Sequence, residues 1–240
     1  MLMIACLFAC GCAKDEVVIV DVTGGVSVES SELPAEGASA AARAQVTVRD
    51  TAAYVLSGAE GTMLYGAVAY ENTGDAPVVL TDAEFTFTAD GNAIIHVFTP
   101  VFAEQTVVLP GESSYVALWR AESGLAPGTE ATLAAKLSCK PCEGARNALA
   151  VDRIFLAHNY PAFTTMTGRV TAERDCPLNL LYTAFYDDAG GLLGVWYFTE
   201  GAQLMAGEAL PFTQHMKSLP IEGLAEQTAQ VRAFGVGIQY

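Results

Sequence analysis

Two cysteines separated by two residues form the spacing in this sequence that most suggests chemistry. The stretch reads Cys139-Lys140-Pro141-Cys142, and a Cys-x-x-Cys pair at the start of a helix has a lowered thiol pKa and exchanges disulfides. That chemistry belongs to a motif that follows the first strand of a βαβ unit, whereas this one ends a long run of β-type sequence. We therefore favour a structural disulfide or a pair of free thiols, with thiol-disulfide exchange at Cys139 and Cys142 as the alternative function.

A third cysteine, Cys176, raises the question of a metal site. Structural zinc sites use four Cys or His ligands at short, paired spacings. The sequence has neither a second Cys-x-x-Cys nor a His-x₃₋₅-His pair, and His96, His158 and His215 are scattered through strand-like segments. We therefore predict no metal and no cofactor.

The adjacent carboxylates Asp187 and Asp188 could suggest glycoside hydrolysis or a calcium loop. Adjacent residues on a strand point to opposite faces and cannot both reach one substrate bond. The sequence also has no Asp-x-Asp-x-Asp-Gly run, which a calcium loop of the EF-hand type would need. We expect these two residues to lead into a solvent-exposed hairpin.

Four aromatic residues could form a platform for a carbohydrate or a peptide: Trp119, Trp196, Tyr197 and Phe198. In a β-sandwich such side chains more often fill the space between the sheets, and we favour that interpretation. No Gly-x-Ser-x-Gly, Walker loop or His-Glu-x-x-His motif occurs. We therefore predict a protein that is not an enzyme.

Composition limits the remaining functions. The chain has 240 residues, of which 52% are hydrophobic, and 12 Lys+Arg against 27 Asp+Glu give a net charge of −15. Such a chain can bury a core, but its acidity argues against nucleic acid and against electrostatic attachment to anionic lipid.

The first residues resemble a bacterial lipoprotein leader. Met1 to Ala9 are uncharged and mostly apolar, and small residues precede Cys10 and Cys12, as in the lipobox, whose cysteine is diacylglycerylated after the leader is removed. Phe8-Ala9-Cys10-Gly11 before Cys12 supplies the favoured Gly, so we predict residues 1–11 as the signal peptide and Cys12 as the lipidated residue, with Cys10 as the alternative. Because a secretory leader normally starts with basic residues, we expect the natural start codon upstream of Met1.

The resemblance implies a lipid anchor, palmitate included, on the extracytoplasmic face of the cell membrane. Residues 12–44 are rich in Ala, Ser, Glu and Gly, which is typical of a flexible tether, although Val17 to Val20 suit a short strand. We expect the tether to hold the folded part away from the bilayer.

The rest of the chain repeats itself. Four short patterns recur in the same order at offsets of about 100 residues: Gly124-Leu125-Ala126 as Gly223-Leu224-Ala225, Leu109-Pro110-Gly111-Glu112 as Met205-Ala206-Gly207-Glu208, Phe85-Thr86-Phe87 as Thr183-Ala184-Phe185, and Gly66 with Val68 as Gly168 with Val170. We therefore predict two duplicated domains, over residues 45–143 and 144–240.

Within each unit, apolar and polar residues alternate with a period of two, and turn signals such as Asp90-Gly91 and Gly190-Gly191 separate the runs. This pattern is typical of an antiparallel β-sandwich. Pro127-Gly128 argues against a helix there and, by the repeat, against one after Gly223. The sequence therefore predicts an all-β fold.

Short motifs in both units resemble those of a known domain family. Thr183-Ala184-Phe185-Tyr186-Asp187, followed by Gly190-Gly191, resembles the motif of FxLYD domains, and Leu109-Pro110-Gly111-Glu112 resembles their L-x-P-G-E turn. Members of that family are small immunoglobulin-like sandwiches found in tandem in bacterial surface lipoproteins. The resemblance implies two tandem immunoglobulin-like domains and a cell-surface location, and it implies no reaction.

We expect a non-catalytic surface lipoprotein, a binding or scaffolding module for an unknown protein or cell-wall partner, with an exposed sheet edge or an inter-domain groove as its contact surface. We also expect one strand over about Ala148 to His158 and a second over about Phe163 to Glu173. Two antiparallel strands would return Cys176 to the end where Cys139 and Cys142 lie. These three cysteines are therefore candidates for a disulfide, and the sequence leaves their pairing open.

Overall fold

The computed structural model describes residues 17–19, 21–22, 43–58, 61–143, 146–159, 163–201 and 203–238. These residues form fourteen strands and one short helix. The strands are β1 (Val17–Ile19), β2 (Asp21–Val22), β3 (Val46–Gly58), β4 (Gly61–Asn72), β5 (Val78–Ala89), β6 (Asn92–Phe98), β7 (Ser113–Ala121), β8 (Ala131–Pro141), β9 (Ala148–Asn159), β10 (Phe163–Ala172), β11 (Leu178–Tyr186), β12 (Leu192–Glu200), β13 (Ala209–His215) and β14 (Gln230–Ile238), and the helix is α1 (Leu224–Gln227).

Strands β3 to β8, which we call the first half, form two antiparallel three-stranded sheets, β3–β4–β7 and β6–β5–β8. Strands β9 to β14, the second half, pair in the same order as β9–β10–β13 and β12–β11–β14. In the second half, two residue pairs between the start of β9 and the end of β14 join the sheets into one. The prediction of an all-β fold with antiparallel sheets is confirmed.

Equivalent turns precede β7 and β13, at one of the predicted repeats. Gly111 and Gly207 both have positive φ, of 79° and 76°, a conformation that glycine adopts without steric cost. In each turn the glutamate that follows the glycine accepts a backbone hydrogen bond from three residues earlier: Glu112 from Leu109, and Glu208 from Met205. The two turns therefore have the same local structure as well as similar sequences.

The repeated glycines of β4 and β10 make room for phenylalanine rings. A Cβ on Gly66 would lie 2.6 Å from Cζ of Phe87, and one on Gly168 would lie 2.5 Å from Cζ of Phe212. Phe87 comes from the facing sheet, whereas Phe212 is the direct register partner of Gly168 on β13. The glycine is repeated, but the residue that occupies its space is not.

The predicted strands after residue 147 are confirmed by β9 and β10, which begin at Ala148 and Phe163. The expectation that no helix follows Gly223 is wrong, because Leu224–Gln227 form one helical turn. Gly223 has φ 67°, and the Thr228 hydroxyl donates to the Leu224 carbonyl. The first-half counterpart, where the Thr129 hydroxyl donates to the Ala126 carbonyl, contains a proline and stays a turn.

The sheet β3–β4–β7 is covered on both faces. Residues Leu64 to Tyr70 of β4 are all buried. Gly66 faces the ring of Phe87 across the sandwich, while the hydroxyl of Tyr65, on the opposite face, bonds to Val195 of β12. The two halves therefore share one continuous hydrophobic core instead of having two separate cores connected by a linker.

The segment predicted as a tether contains the two short N-terminal strands. Strand β1 pairs antiparallel with β9, from Val17 opposite Ala157 to Ile19 opposite Phe155. Strand β2 pairs parallel with the start of β14. The short strand suggested by Val17 to Val20 is confirmed for Val17–Ile19, and at β1 and β2 the segment is bound to the second half instead of extending freely.

Candidate functional site

The Cys139-x-x-Cys142 pair lies at the end of β8 and not at the start of a helix. Cys139 is opposite Leu80 of β5, and burial raises the pKa of its thiol. The Cys142 amide donates to the Pro77 carbonyl at 2.9 Å. A reactive thiol needs a lowered pKa, so this geometry does not favour the exchange chemistry that the spacing suggests.

Cys176 lies in a different environment. Its thiol is buried, 3.0 Å from Oδ1 of Asn179, and burial raises its pKa. Cys139, Cys142 and Cys176 are all free thiols in the structure. A disulfide among them stays a prediction, which a count of free thiols in the unreduced protein will check.

The two candidates for lipidation, Cys10 and Cys12, lie outside the described residues, as does the predicted signal peptide. In the part of the chain that the structure describes, no helix is both long and apolar enough to span a bilayer.

The three histidines lie in three separate places. The ring of His96 packs edge-on against that of Phe87, with the ring centroids 6.1 Å apart. Nδ1 of His158 lies 3.9 Å from a Glu226 carboxylate oxygen. Nδ1 of His215 lies 3.0 Å from the Thr165 hydroxyl oxygen. Within the described ranges, no three His, Cys, Asp or Glu side chains are arranged to hold a metal ion.

The Asp187-Asp188 pair occupies the predicted hairpin between β11 and β12. Asp187 accepts a 2.7 Å hydrogen bond from the Gly191 amide, and Gly190 has φ 83°. Asp188 is exposed. The Asp187 side chain therefore serves the turn, and the two residues lead into a hairpin, as predicted.

The chemistry-bearing side chains converge instead on the contact between sheets β3–β4–β7 and β12–β11–β14, which we call the joint. The Tyr65 hydroxyl donates to the Val195 carbonyl at 2.8 Å and accepts from the Val195 amide at 2.6 Å. Oδ2 of Asp50 accepts from the Leu192 amide at 2.7 Å. Because β12 is an edge strand, these two side chains take the place of a partner strand along its outer edge.

Aromatic rings fill one side of the joint. Trp119 packs on Trp196 and Tyr197, with ring centroids 5.8 and 5.1 Å apart, and its indole N–H donates to the Ser218 carbonyl. Phe198 packs on Phe212 within the second half. The four aromatic residues do fill space between sheets, but for three of them the space lies between the two halves.

An ion pair closes the other end of the joint. Arg146, in the connection before β9, forms a two-pronged hydrogen bond to Glu112 of the first half at 2.5 and 2.8 Å. Its side chain is only 6% exposed, and its guanidinium lies 5.1 Å above the Phe234 ring. Together with Tyr65 and Asp50, this pair connects the two halves at several separated points.

A cleft of about 1040 Å³ lies beside the joint, between β3, the loop before β8 and the segment around α1. Tyr54, Pro127 and Ile221 contribute apolar walls, and Glu130 and Glu222 contribute carboxylates. The sequence had suggested an inter-domain groove as a contact surface, and this cleft lies between the two halves.

A second surface is the free edge of β6. Ile95 and Val97 are 60% and 65% exposed, on the outer face of sheet β6–β5–β8, opposite Thr86 and Glu84 of β5. No other described strand pairs with the second edge of β6, and the strand carries no charged residue. Its sequence, Asn-Ala-Ile-Ile-His-Val-Phe, predicts a strand but does not distinguish an edge from a central position.

A comparison with protein-family models found no match to this chain. No curated protein matches it either.

Proposed function

We propose that this chain is a non-catalytic surface lipoprotein, anchored through Cys12 to the extracytoplasmic face of the cell membrane, whose two halves are tandem immunoglobulin-like units of FxLYD type acting as a binding module. The observation that supports binding is the free, uncharged edge of β6. Such an edge offers unpaired backbone N–H and C=O groups to an incoming strand.

The neighbouring edges support the choice of β6. Strand β12, its counterpart in the second half, is covered at its outer edge by Tyr65 and Asp50. Strand β13, another edge strand, carries Pro211, and proline on an edge discourages pairing. Within the described part of the chain, strand β6 has neither covering side chains nor a proline. In a stable secreted protein, such an unprotected edge is consistent with a surface that binds a partner.

The proposed partner is an extended segment of another protein that adds to the sheet as a strand next to β6. Its backbone would satisfy the free edge, and alternate apolar side chains would lie beside Ile95 and Val97. The multiple contacts across the joint would fix the direction in which this edge is presented, which suits a scaffold. The partner would be extracytoplasmic, in keeping with the lipobox-like leader.

The test compares matched lysine substitutions in intact cells. Val97→Lys places a charge beside the free edge, whereas Thr132→Lys places one on β8, on the same face of the sheet but across β5. With a photo-crosslinker at residue 95, we expect a defined protein adduct in the wild type and in Thr132→Lys, and a several-fold loss in Val97→Lys. Equal adducts in all three would reject β6 as the contact.

The anchor has its own test. Cys12→Ser should abolish membrane partition and leader cleavage, while Cys10→Ser should leave both unchanged. Release by Cys10→Ser alone would move the anchor to Cys10, and no effect from either change would reject the lipoprotein.

A further inference from the structure

We propose that the second half lies against the membrane, with the end that contains the β9–β10 hairpin facing the lipid. This end, which we call the hairpin pole, is where β9 ends at Asn159 and β10 begins at Phe163. The inference rests on the proposed lipidation of Cys12 and concerns how the anchored molecule is oriented.

The direction of β1 carries the argument. Because β1 runs antiparallel to β9, its first residue, Val17, lies opposite Ala157, so the start of β1 is its end nearer Asn159 and the hairpin pole. Strand β2 runs parallel to β14 from Gln230 onward, which is consistent with the same direction. Both N-terminal strands thus begin at their ends nearer this pole.

The two N-terminal strands also occupy a defined place in the sheet. Strands β9 and β14 are paired with each other only at Leu149 and Ala148, at the opposite end of β9. Nearer the hairpin pole, β9 pairs with β1 and β14 pairs with β2. The segment therefore supplies partners for two strand edges that no other described strand covers at those residues.

The length of chain outside the structure then limits the distance to the lipid. Five residue steps from Cys12 to Val17 span at most about 17 Å. An unpaired tether from Cys12 to Arg43 could extend to roughly 100 Å by the same rule and would average about 30 Å as a random coil. Because β1 is paired with β9 from Val17 onward, only the residues between Cys12 and Val17 separate the anchor from the folded part. The end of the second half nearest the lipid is then the hairpin pole.

The hairpin pole has side chains suited to an interface. Phe163 is partly exposed, and Nζ of Lys217 lies 5.3 Å from the centre of its ring. A lysine keeps its charged end in water while its stem lies along apolar surface, and a phenylalanine ring beside it can enter the apolar side of the boundary between water and lipid. The partner surface is therefore the bilayer that holds the anchor.

The first experiment tests the strand pairing in the full-length protein with Cys139, Cys142 and Cys176 replaced by serine. Register partners in an antiparallel pair have Cα separations that allow a disulfide. We expect Val18→Cys to cross-link with Leu156→Cys and not with Ala150→Cys, six residues away on β9. Failure of the Leu156 pair, or equal cross-linking with Ala150, would overturn the proposal.

The second experiment tests orientation after reconstitution in phosphatidylcholine vesicles, where no anionic lipid acts on the charge of the protein. A fluorophore is attached at Lys217→Cys, at the hairpin pole, or at Glu173→Cys, at the other end of β10, and nitroxide-labelled headgroups quench it. The two sites are separated by roughly 30 Å along the strand, so we expect several-fold stronger quenching at residue 217. In Val18→Pro, which removes a donor from β1, this difference should shrink.

The outcomes separate the two proposals. Membrane partition with equal quenching at both sites would overturn the orientation and leave the anchor intact. Stronger quenching at residue 173 would place the opposite end against the membrane and also overturn it. Loss of partition in the unmodified protein would reject the anchor itself, and the orientation with it.

Discussion

The hydroxyl of Tyr65 makes two hydrogen bonds between the two halves. The substitution Tyr65→Phe removes this hydroxyl and leaves the ring. The phenylalanine ring keeps its packing against Trp119, whose centroid lies 5.2 Å away. What is lost are the two hydrogen bonds to the amide and carbonyl of Val195. Val195 is fully buried, so water cannot replace the hydroxyl without rearrangement of the joint.

The magnitude follows from the two groups left behind. A buried donor or acceptor without a partner costs about 1–3 kcal/mol, so with two such groups we expect Tyr65→Phe to lower the free energy of unfolding by about 2–6 kcal/mol. For a protein of this size that corresponds to a fall in Tm of roughly 5–25 °C. Because the loss is localised at the edge of β12, exchange of the Val195 amide proton should accelerate more than that of central strands.

Tyr54→Phe is the matched control. Tyr54 is the register partner of Tyr65 on β3, with ring centroids 6.1 Å apart, and no described hydrogen bond involves its hydroxyl. We expect its loss to change stability by less than about 0.5 kcal/mol. The reasoning is refuted if the two variants are equally stable, or if Val195 exchange is unchanged in Tyr65→Phe, as measured by denaturant unfolding and by hydrogen exchange.

Three further outcomes follow from buried groups. Glu112→Ala leaves Arg146 buried without its carboxylate and should lower the free energy of unfolding by about 3 kcal/mol. As a control, Glu71→Ala breaks an exposed pair with Arg49 and should lower it by under about 1 kcal/mol. Equal denaturation midpoints for the two variants would contradict this expectation. Gly66→Ala pushes a methyl into Phe87 and should cost about 1–3 kcal/mol, with partial recovery in the double variant that adds Phe87→Leu; strict additivity of the two would contradict the contact. Burial raises the pKa of seven described tyrosines above the ordinary 10.0, most strongly at Tyr65, Tyr70, Tyr115 and Tyr182. Above pH 10 the folded state keeps these protons, whereas the unfolded chain releases them. The contribution of these tyrosines to the free energy of unfolding is therefore fully present below about pH 10 and is lost as the pH rises further. Tyrosinate absorbance should therefore jump together with loss of circular dichroism, and independent titration of every tyrosine near pH 10 in a folded protein would refute it.

The strands were predictable because their signals are local. Alternation with a period of two and glycine-containing turns depend on neighbouring residues only, and the predicted starts at Ala148 and Phe163 coincide with β9 and β10. The helical turn at Leu224–Gln227 differs from the prediction because Pro127 of the first half has no counterpart in this stretch. A repeat preserves position in the fold better than it preserves local conformation.

The joint could not be predicted from periodicity, although one signal for it exists. A strand covered on both faces reads as a continuous apolar run, and β4 has such a run from Met63 to Tyr70. That run identifies a doubly buried strand but not the surface that covers it. The contacts of Tyr65 with Val195 and of Asp50 with Leu192 join residues more than a hundred positions apart, and no local pattern encodes such a pairing.

The joint also explains why two halves with the same strand order have different exposed edges. Strands β6 and β12 hold the same position in their halves, at the edge beside β5 and β11. The outer edge of β12 is satisfied by Tyr65 and Asp50, both on the face of sheet β3–β4–β7 that the second half covers. In each molecule this face is already covered by the molecule's own second half. A second copy of the chain therefore cannot cover β6 in the same way. The partner that we propose for β6 must therefore bring its own donors and acceptors, and an extended backbone is the simplest group that supplies both at strand spacing.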